Sequence, residues 1–313
     1  MFKPHLLEVE SWKGDWGLPS IDYKCLEVLA FARFTNAPII VYNSNNPFKS
    51  ITGHLPVVSY NKRLLMNRDS LIDCLDKQNL TPDFGLTSLQ LAEEHAAISM
   101  IDAQLEPALL FAWWMDENNC LNFTKPWYKN ALKFPFNWYY PNVYEREAKH
   151  KIYTLYNHLD SDNDIMTEIY TEAIKCMNGL ESRLGNNFYF FGSHPTLLDA
   201  VAYSYLGPLL KAPLTDNKLQ THLKTCKNLC IWIDRITREY FKIDWQAHKC
   251  NEKKKREESK QQMNVIPWYK KDETKNVLIG IITLITMVVY SFKIGLISVS
   301  ANNYKIRLTD FVI

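Results

Sequence analysis

The chain of 313 residues has room for two domains, or for one large domain with appendages. Its net charge of +2 gives no case for nucleic acid as a partner, and 47% hydrophobic against 22% charged residues excludes a disordered chain. The seven cysteines are odd in number and scattered without a CxxC pair, and the N-terminus carries no apolar signal core. Both features argue against a secreted disulfide framework and for the reducing cytosol.

In chain order, Leu6 to Glu10 reads as a short alternating strand. It is followed by a turn built from Trp12, Gly14, Trp16 and Gly17. Cys25, Leu26, Val28, Leu29 and Ala32 recur at helical spacing, with Ser20 or Asp22 placed to cap the helix. Pro38 to Tyr42 reads as a second strand. Leu55 to Tyr60 and Leu64 to Met66 flank a turn at Asn61-Lys62 and form a hairpin, and Asp69-Ser70 opens the next helix. The order β-α-β-loop-β-β-α, with Pro56 at the head of the third strand, suits a thioredoxin-like unit whose Leu55–Pro56 bond is cis. From about Leu86 the pattern turns helical: one long helix to Phe111, then others near 143–158, 164–184, 196–212 and 217–241. The expected fold class is therefore α+β, with a thioredoxin-like unit over 1–80 and an all-helical unit over 86–245.

The mixed charges of Cys250 to Lys260 belong to an expected charged linker or helix extension over 246–275. The apolar run from Val277 to Val299 is about the ~20 residues needed to cross a bilayer. It predicts a transmembrane helix over 276–299 that acts as a C-terminal tail anchor. Pro267-Trp268-Tyr269 would sit at headgroup level, Lys293 would snorkel, and a short tail, 300–313, would follow.

Thr196 stands three residues before Asp199 at the start of an apolar helix, the spacing of a capping box with the carboxylate held at the helix N-terminus. That is a folding device. Cys25 lies on an apolar helical stripe and reads as a structural thiol. His222, Cys226 and Cys230 share a helix face but lack the second cluster a zinc site needs, so no metal is expected. Phe134, Phe136, Trp138 and Tyr139 lie in an irregular, proline-bounded stretch and are candidates for contact with a partner.

Several stretches resemble, in order, the glutathione-transferase fold: Gly53-His-Leu-Pro-Val-Val58, Arg68-Asp69-Ser70, Phe191-Gly192, and Thr196-Leu-Leu-Asp199. Gly14 to Asp22, Ala32 to Pro38, Asn46-Pro-Phe48, Phe134-Pro-Phe-Asn137, Ser204-Tyr-Leu206, Leu219 to Leu223 and Asn228-Leu-Cys230 narrow this to a resemblance to the metaxin family, from about Trp12 to Phe241. The resemblance implies a protein of the mitochondrial outer membrane that faces the cytosol. Its implied role is the import and assembly of β-barrel membrane proteins, working with a second metaxin and the barrel-assembly machinery on precursor proteins. It also implies a vestigial glutathione site. Asp69 and Ser70 would stand where active relatives hold the γ-glutamyl end, Pro56 and Val57 where they meet the cysteinyl backbone, and Ser20 where an activating hydroxyl belongs. The usual Cys-Pro or Ser-Pro pair is missing there, so no enzyme and no cofactor is expected. A membrane-tethered transferase and an adaptor to transport machinery are the alternatives.

Overall fold

The computed structural model describes residues 6–83, 85–215, 217–264, 272–293, 297–299 and 306–308. The chain forms two compact units, Met1–Cys250 and Asn251–Ile313.

The first unit opens with β1 (Leu7–Ser11), α1 (Tyr23–Phe34), β2 (Ile39–Asn43), β3 (Val57–Tyr60), β4 (Arg63–Leu65) and α2 (Arg68–Asp76). The sheet order is β2-β1-β3-β4, with β1 parallel to β2 and antiparallel to β3. Leu7 and Val9 alternate inward along β1, and Val9 lies opposite Val58 of β3, so one face of the sheet is sealed. The β3–β4 turn places Asn61 and Lys62 at positive φ, as a two-residue hairpin of the sheet's twist requires. The Leu55–Pro56 bond is cis, in line with the reading of the sequence.

The helical part comprises α3 (Ser88–Leu110), α4 (Glu117–Asn119), α5 (Lys125–Ala131), α6 (Phe136–Leu155), α7 (Asp162–Leu184), α8 (Leu197–Lys211), α9 (Lys218–Thr225), α10 (Lys227–Tyr240) and α11 (Lys242–Asn264). π-helical turns at Phe111–Met115 and Cys120–Thr124 flank α4. The single helix expected over 217–241 is broken at Cys226, whose ψ of 83° leaves the helical region. The charged stretch from Cys250 is helical within α11.

α8 is the centre of this unit. It is buried from Leu197 to Leu209 and packs against α1 and α3. Gly207 faces Leu26 and Leu18 at ordinary contact distance, which lets α1 and α8 approach closely. Its N-terminus is fully supplied with acceptors. Thr196 and Asp199 form a capping box in which the Thr196 N–H donates to Asp199 Oδ2 at 3.0 Å. The Leu197 N–H donates to Asp83 and the Leu198 N–H to Glu94, each at 2.9 Å. The other oxygen of Asp199 accepts the Phe190 N–H and the Trp232 indole N–H, so one buried carboxylate ties a loop, α8 and α10 together.

The C-terminal unit corrects the membrane expectation. α12 is Asp272–Lys293, and Ile297–Val299 is a strand, β5, antiparallel to β6 (Ile306–Leu308). The apolar run is therefore not one helix. Between Lys275 and Lys293 the charge-free part rises about 26 Å at 1.5 Å per residue, short of a bilayer core of ~30 Å. Among the described residues no helix is long and apolar enough to cross a membrane. The expected transmembrane helix over 276–299 is thereby overturned, and the single-pass tail anchor and bilayer contact that rested on it lose their support. Pro267, Trp268 and Tyr269 and much of the tail 300–313 lie outside the described residues.

Candidate functional site

The N-terminus of α1 is set by the loop before it. Trp16 and Gly17 take positive φ, and the Leu18 N–H donates to Asp15 O. A Cβ on Gly14 would lie 2.1 Å from the Leu18 carbonyl oxygen, so only glycine fits there. Trp127 Nε1 donates to Asp15 Oδ2 at 2.9 Å and pins the loop to α5. Asp22 then caps α1, its carboxylate accepting the Cys25 N–H at 3.0 Å.

Ser20 is 0% exposed, and its hydroxyl accepts the Asp22 N–H at 3.3 Å. The Cys25 thiol is equally buried, and burial together with the Asp22 charge raises its pKa well above the ordinary value. Burial also raises the pKa of Asp22 itself, against the Cys25 amide and Lys24, which pull it down. An activating group at this helix start must be exposed and face a positive dipole. Here the hydroxyl is sealed, and the dipole already faces the protein's own carboxylate.

The second set of candidates is engaged in folding. Ser70 donates to the Asn67 carbonyl at 2.8 Å and accepts the Asn67 N–H, a capping box for α2, while Asp69 is exposed in the first turn. Val57 lies in β3 opposite Glu10. Pro56 lines a groove of about 610 Å³ between α1, α2 and α3, a cavity that Ser20, Val57, Asp69 and Ser70 do not line. In this groove Arg68 reaches back from α2 to Glu27 of α1 and to Asp102 of α3. Tyr205 of α8 donates to Asp102 at 2.9 Å. This four-residue clamp was invisible in the sequence because its members lie far apart along the chain.

A second cleft, of about 230 Å³, opens at the start of α1. Its walls are Trp12, the His54–Leu55 segment, the end of α3 with Trp113 and Trp114, and Tyr128 and Tyr144. Trp12 meets Tyr128 edge-on at 4.9 Å and Tyr144 at 6.4 Å, and His54 stacks on Tyr144 at 5.0 Å. Two polar contacts span it: the Lys151–Glu106 ion pair at 2.6 Å and His54 Nε2 to Glu147 at 3.0 Å. None of the five glutathione-site candidates lines this cleft.

The partner-contact candidates are separate from both cavities. Phe134 is 85% exposed and Trp138 70%; Tyr139 is also exposed. Phe136 is half-buried and stacks with Phe48 at 5.4 Å, and Phe48 and Ile51 are exposed as well. The loop after β2 and the start of α6 thus present one aromatic surface.

A sheet of order β2-β1-β3-β4 with a cis-proline loop, followed by helices around a buried α8, defines the glutathione-transferase class of fold. A solved beta-etherase, LigF from Sphingobium sp. strain SYK-6, shares it, with a TM-score of 0.50 and 13% identity over 78% of this chain and 99% of that one. Residues 173–236 match the family described as "Glutathione S-transferase, C-terminal domain", and residues 25–145 match Tom37, "Outer mitochondrial membrane transport complex protein". Metaxin-1 of Mus musculus is 35% identical over 241 residues, covering 76% of each chain. Metaxin-3 of Xenopus laevis is 36% identical over 241 residues, covering 76% of this chain and 78% of its own. The chain belongs to the metaxin family.

Proposed function

We propose that this protein is a non-enzymatic subunit of a protein transport complex of the mitochondrial outer membrane, with its folded body in the cytosol. Its work is binding. The matches to Tom37 and to metaxins support the complex and the organelle. The observation that carries the binding role is the exposed surface of Phe134, Phe136, Trp138 and Tyr139, joined by Phe48 and Ile51. Aromatic rings left in water on a folded body are the usual anchors of protein interfaces. The sealed Ser20 and the self-capped α1 speak against a transferase step.

The partners in this reading are a second metaxin, the β-barrel assembly machinery and precursor segments. The test is the double variant Trp138→Ala, Tyr139→Ala in the full chain, expressed in cells and recovered in mild detergent. The variant is expected to fold and to lose most of its co-purifying outer-membrane subunits. Undiminished co-purification overturns the assignment of this surface. Recovery of motor adaptors in place of assembly subunits from the unaltered protein overturns the assignment of the complex.

A further inference from the structure

The surface of Phe134, Trp138 and Tyr139 carries a charge pattern as well as rings. From Lys125 to Tyr144 the chain holds three lysines and no acidic residue, and from Ser44 to His54 it holds Lys49 and again no acidic residue. These two stretches supply all the apolar side chains of the surface. The acidic side chains around them are already engaged. Glu10 accepts from Lys49 at 3.2 Å and from Ser44 at 3.0 Å, and Asp15 accepts the Trp127 indole N–H. Glu145 takes both Lys125 at 2.6 Å and Lys149 at 2.9 Å, and Glu147 meets His54. Lys129, Lys133 and Arg146 are left over: each is exposed and makes no ion pair among the described residues.

Two of these cations bracket the rings. Lys133 immediately precedes Phe134, and its carbonyl accepts the Asn137 N–H at 3.1 Å, which sets it at the entry of α6. Arg146 follows Tyr139 by about two turns on the same face of the helix, with the exposed Asn142 between them. The order along the surface is cation, rings, cation. An apolar middle closed at both ends by one sign of charge selects an elongated occupant of the opposite sign and repels a basic one. Such a line matches one segment of a partner chain better than it matches the plane of a bilayer.

We infer that this surface takes an acidic segment of a partner protein, with apolar side chains laid on Phe134, Trp138 and Tyr139 and carboxylates at its ends paired with Lys133 and Arg146. The inference rests on the reading that this surface is the one that binds.

The test uses the full chain, expressed in cells and recovered in mild detergent beside the Trp138→Ala, Tyr139→Ala variant. One new variant carries Lys133→Glu with Arg146→Glu, the other Lys133→Gln with Arg146→Gln. Both positions are exposed, so helix content by circular dichroism is expected to match the parent. The reversed pair is expected to recover about tenfold less of the subunits that the aromatic variant loses, and the neutral pair an intermediate amount. Carbodiimide, which joins an amine to a carboxylate in contact with it, is expected to link Lys133 to an aspartate or glutamate of one of those subunits, located by mass spectrometry. Full recovery with the reversed pair, beside loss in the aromatic variant, overturns the acidic segment and leaves the binding surface standing. Full recovery with the aromatic variant removes the surface itself, and the inference with it. Subunits retained by both charge variants, with flotation on phosphatidylcholine–phosphatidylserine vesicles lost instead, assigns the cations to lipid and also overturns the inference.

Discussion

The Cys25 amide donates to the Asp22 carboxylate at 3.0 Å, so the positive end of α1 is closed by an anion of the chain itself. In a thiol-activating fold that end must receive the substrate's thiolate, and here two negative charges would have to share it. Conjugation of glutathione to an aryl halide is expected to run at the buffer rate. Ser20→Ala, which removes a hydroxyl wholly inside the body, is expected to leave that rate unchanged. Turnover above background that is lost in Ser20→Ala contradicts this account.

Asp199 gives the clearest pH dependence. Burial pushes its pKa up to about 7 from 3.8, against the Thr196 and Phe190 amides and the Trp232 indole. A carboxyl with a raised folded-state pKa contributes stability that is complete below about 4 and is lost as pH rises towards 7. The slope amounts to on the order of 4 kcal/mol across that window. Asp199→Asn cannot accept from all its donors and is expected to cost about 2 kcal/mol or more. It should also flatten the slope between pH 4 and 7. Urea denaturation at a series of pH values reads both effects, and an unchanged slope contradicts the assignment to Asp199.

The Arg68 clamp joins α1, α2, α3 and α8 through Glu27, Asp102 and Tyr205. Removing the guanidinium leaves two carboxylates facing each other. Arg68 is about a quarter exposed, so water and salt screen part of the loss. Arg68→Ala is expected to lower stability by about 2 kcal/mol. Arg68→Lys should recover less than half of that, because an ammonium cannot make both bidentate contacts. Equal stability of the three proteins in urea would show that the clamp contributes nothing.

Gly14→Ala is a test of the loop before α1. The added methyl would sit 2.1 Å from the Leu18 carbonyl oxygen and 2.8 Å from Pro19 backbone atoms, none of which belongs to a flexible side chain. A loss of about 2–4 kcal/mol is expected, in the range of strained backbone and overpacking changes. A midpoint within error of the parent would mean the loop shifts freely.

Trp12→Ala removes a ring that is almost wholly buried and meets Trp127, Tyr128 and Tyr144 edge-on. The expected cost is about 3–5 kcal/mol, measured by denaturant titration. A cost under about 1 kcal/mol would mean the aromatic wall of the cleft collapses to fill the space.

What the sequence discloses is local. The hairpin at Asn61-Lys62, the capping box at Thr196 and the placement of Pro56 all follow from residue types a few positions apart. Two kinds of feature escape it. Where an apolar phase continues through an interruption, spacing hides the break: Leu219 and Leu223 before Cys226, and Leu229 and Ile233 after it, look like one helix. The C-terminal run failed for the same reason, since Ile297–Val299 is a strand where composition alone carries one helix on to Val299. Pairings such as Arg68 with Asp102, Glu94 with Leu198, or Glu106 with Lys151 exist only once the fold brings distant turns together. The cleft is made of such pairings, and none of the five glutathione-site positions lines it, although Pro56 lines the neighbouring groove.

α8 has no face of its own to show to water, and its first amides rest on side chains from Asp83 and Glu94. A ribosome must therefore deliver more than two hundred residues, through Leu209, before the helix begun at Tyr23 finds the surface it packs against. Until then the nascent sheet holds uncovered aliphatic side chains, and a holding chaperone is the expected companion of translation. For the same reason a single proteolytic nick between Lys77 and Thr87 is expected to leave the two pieces clasped.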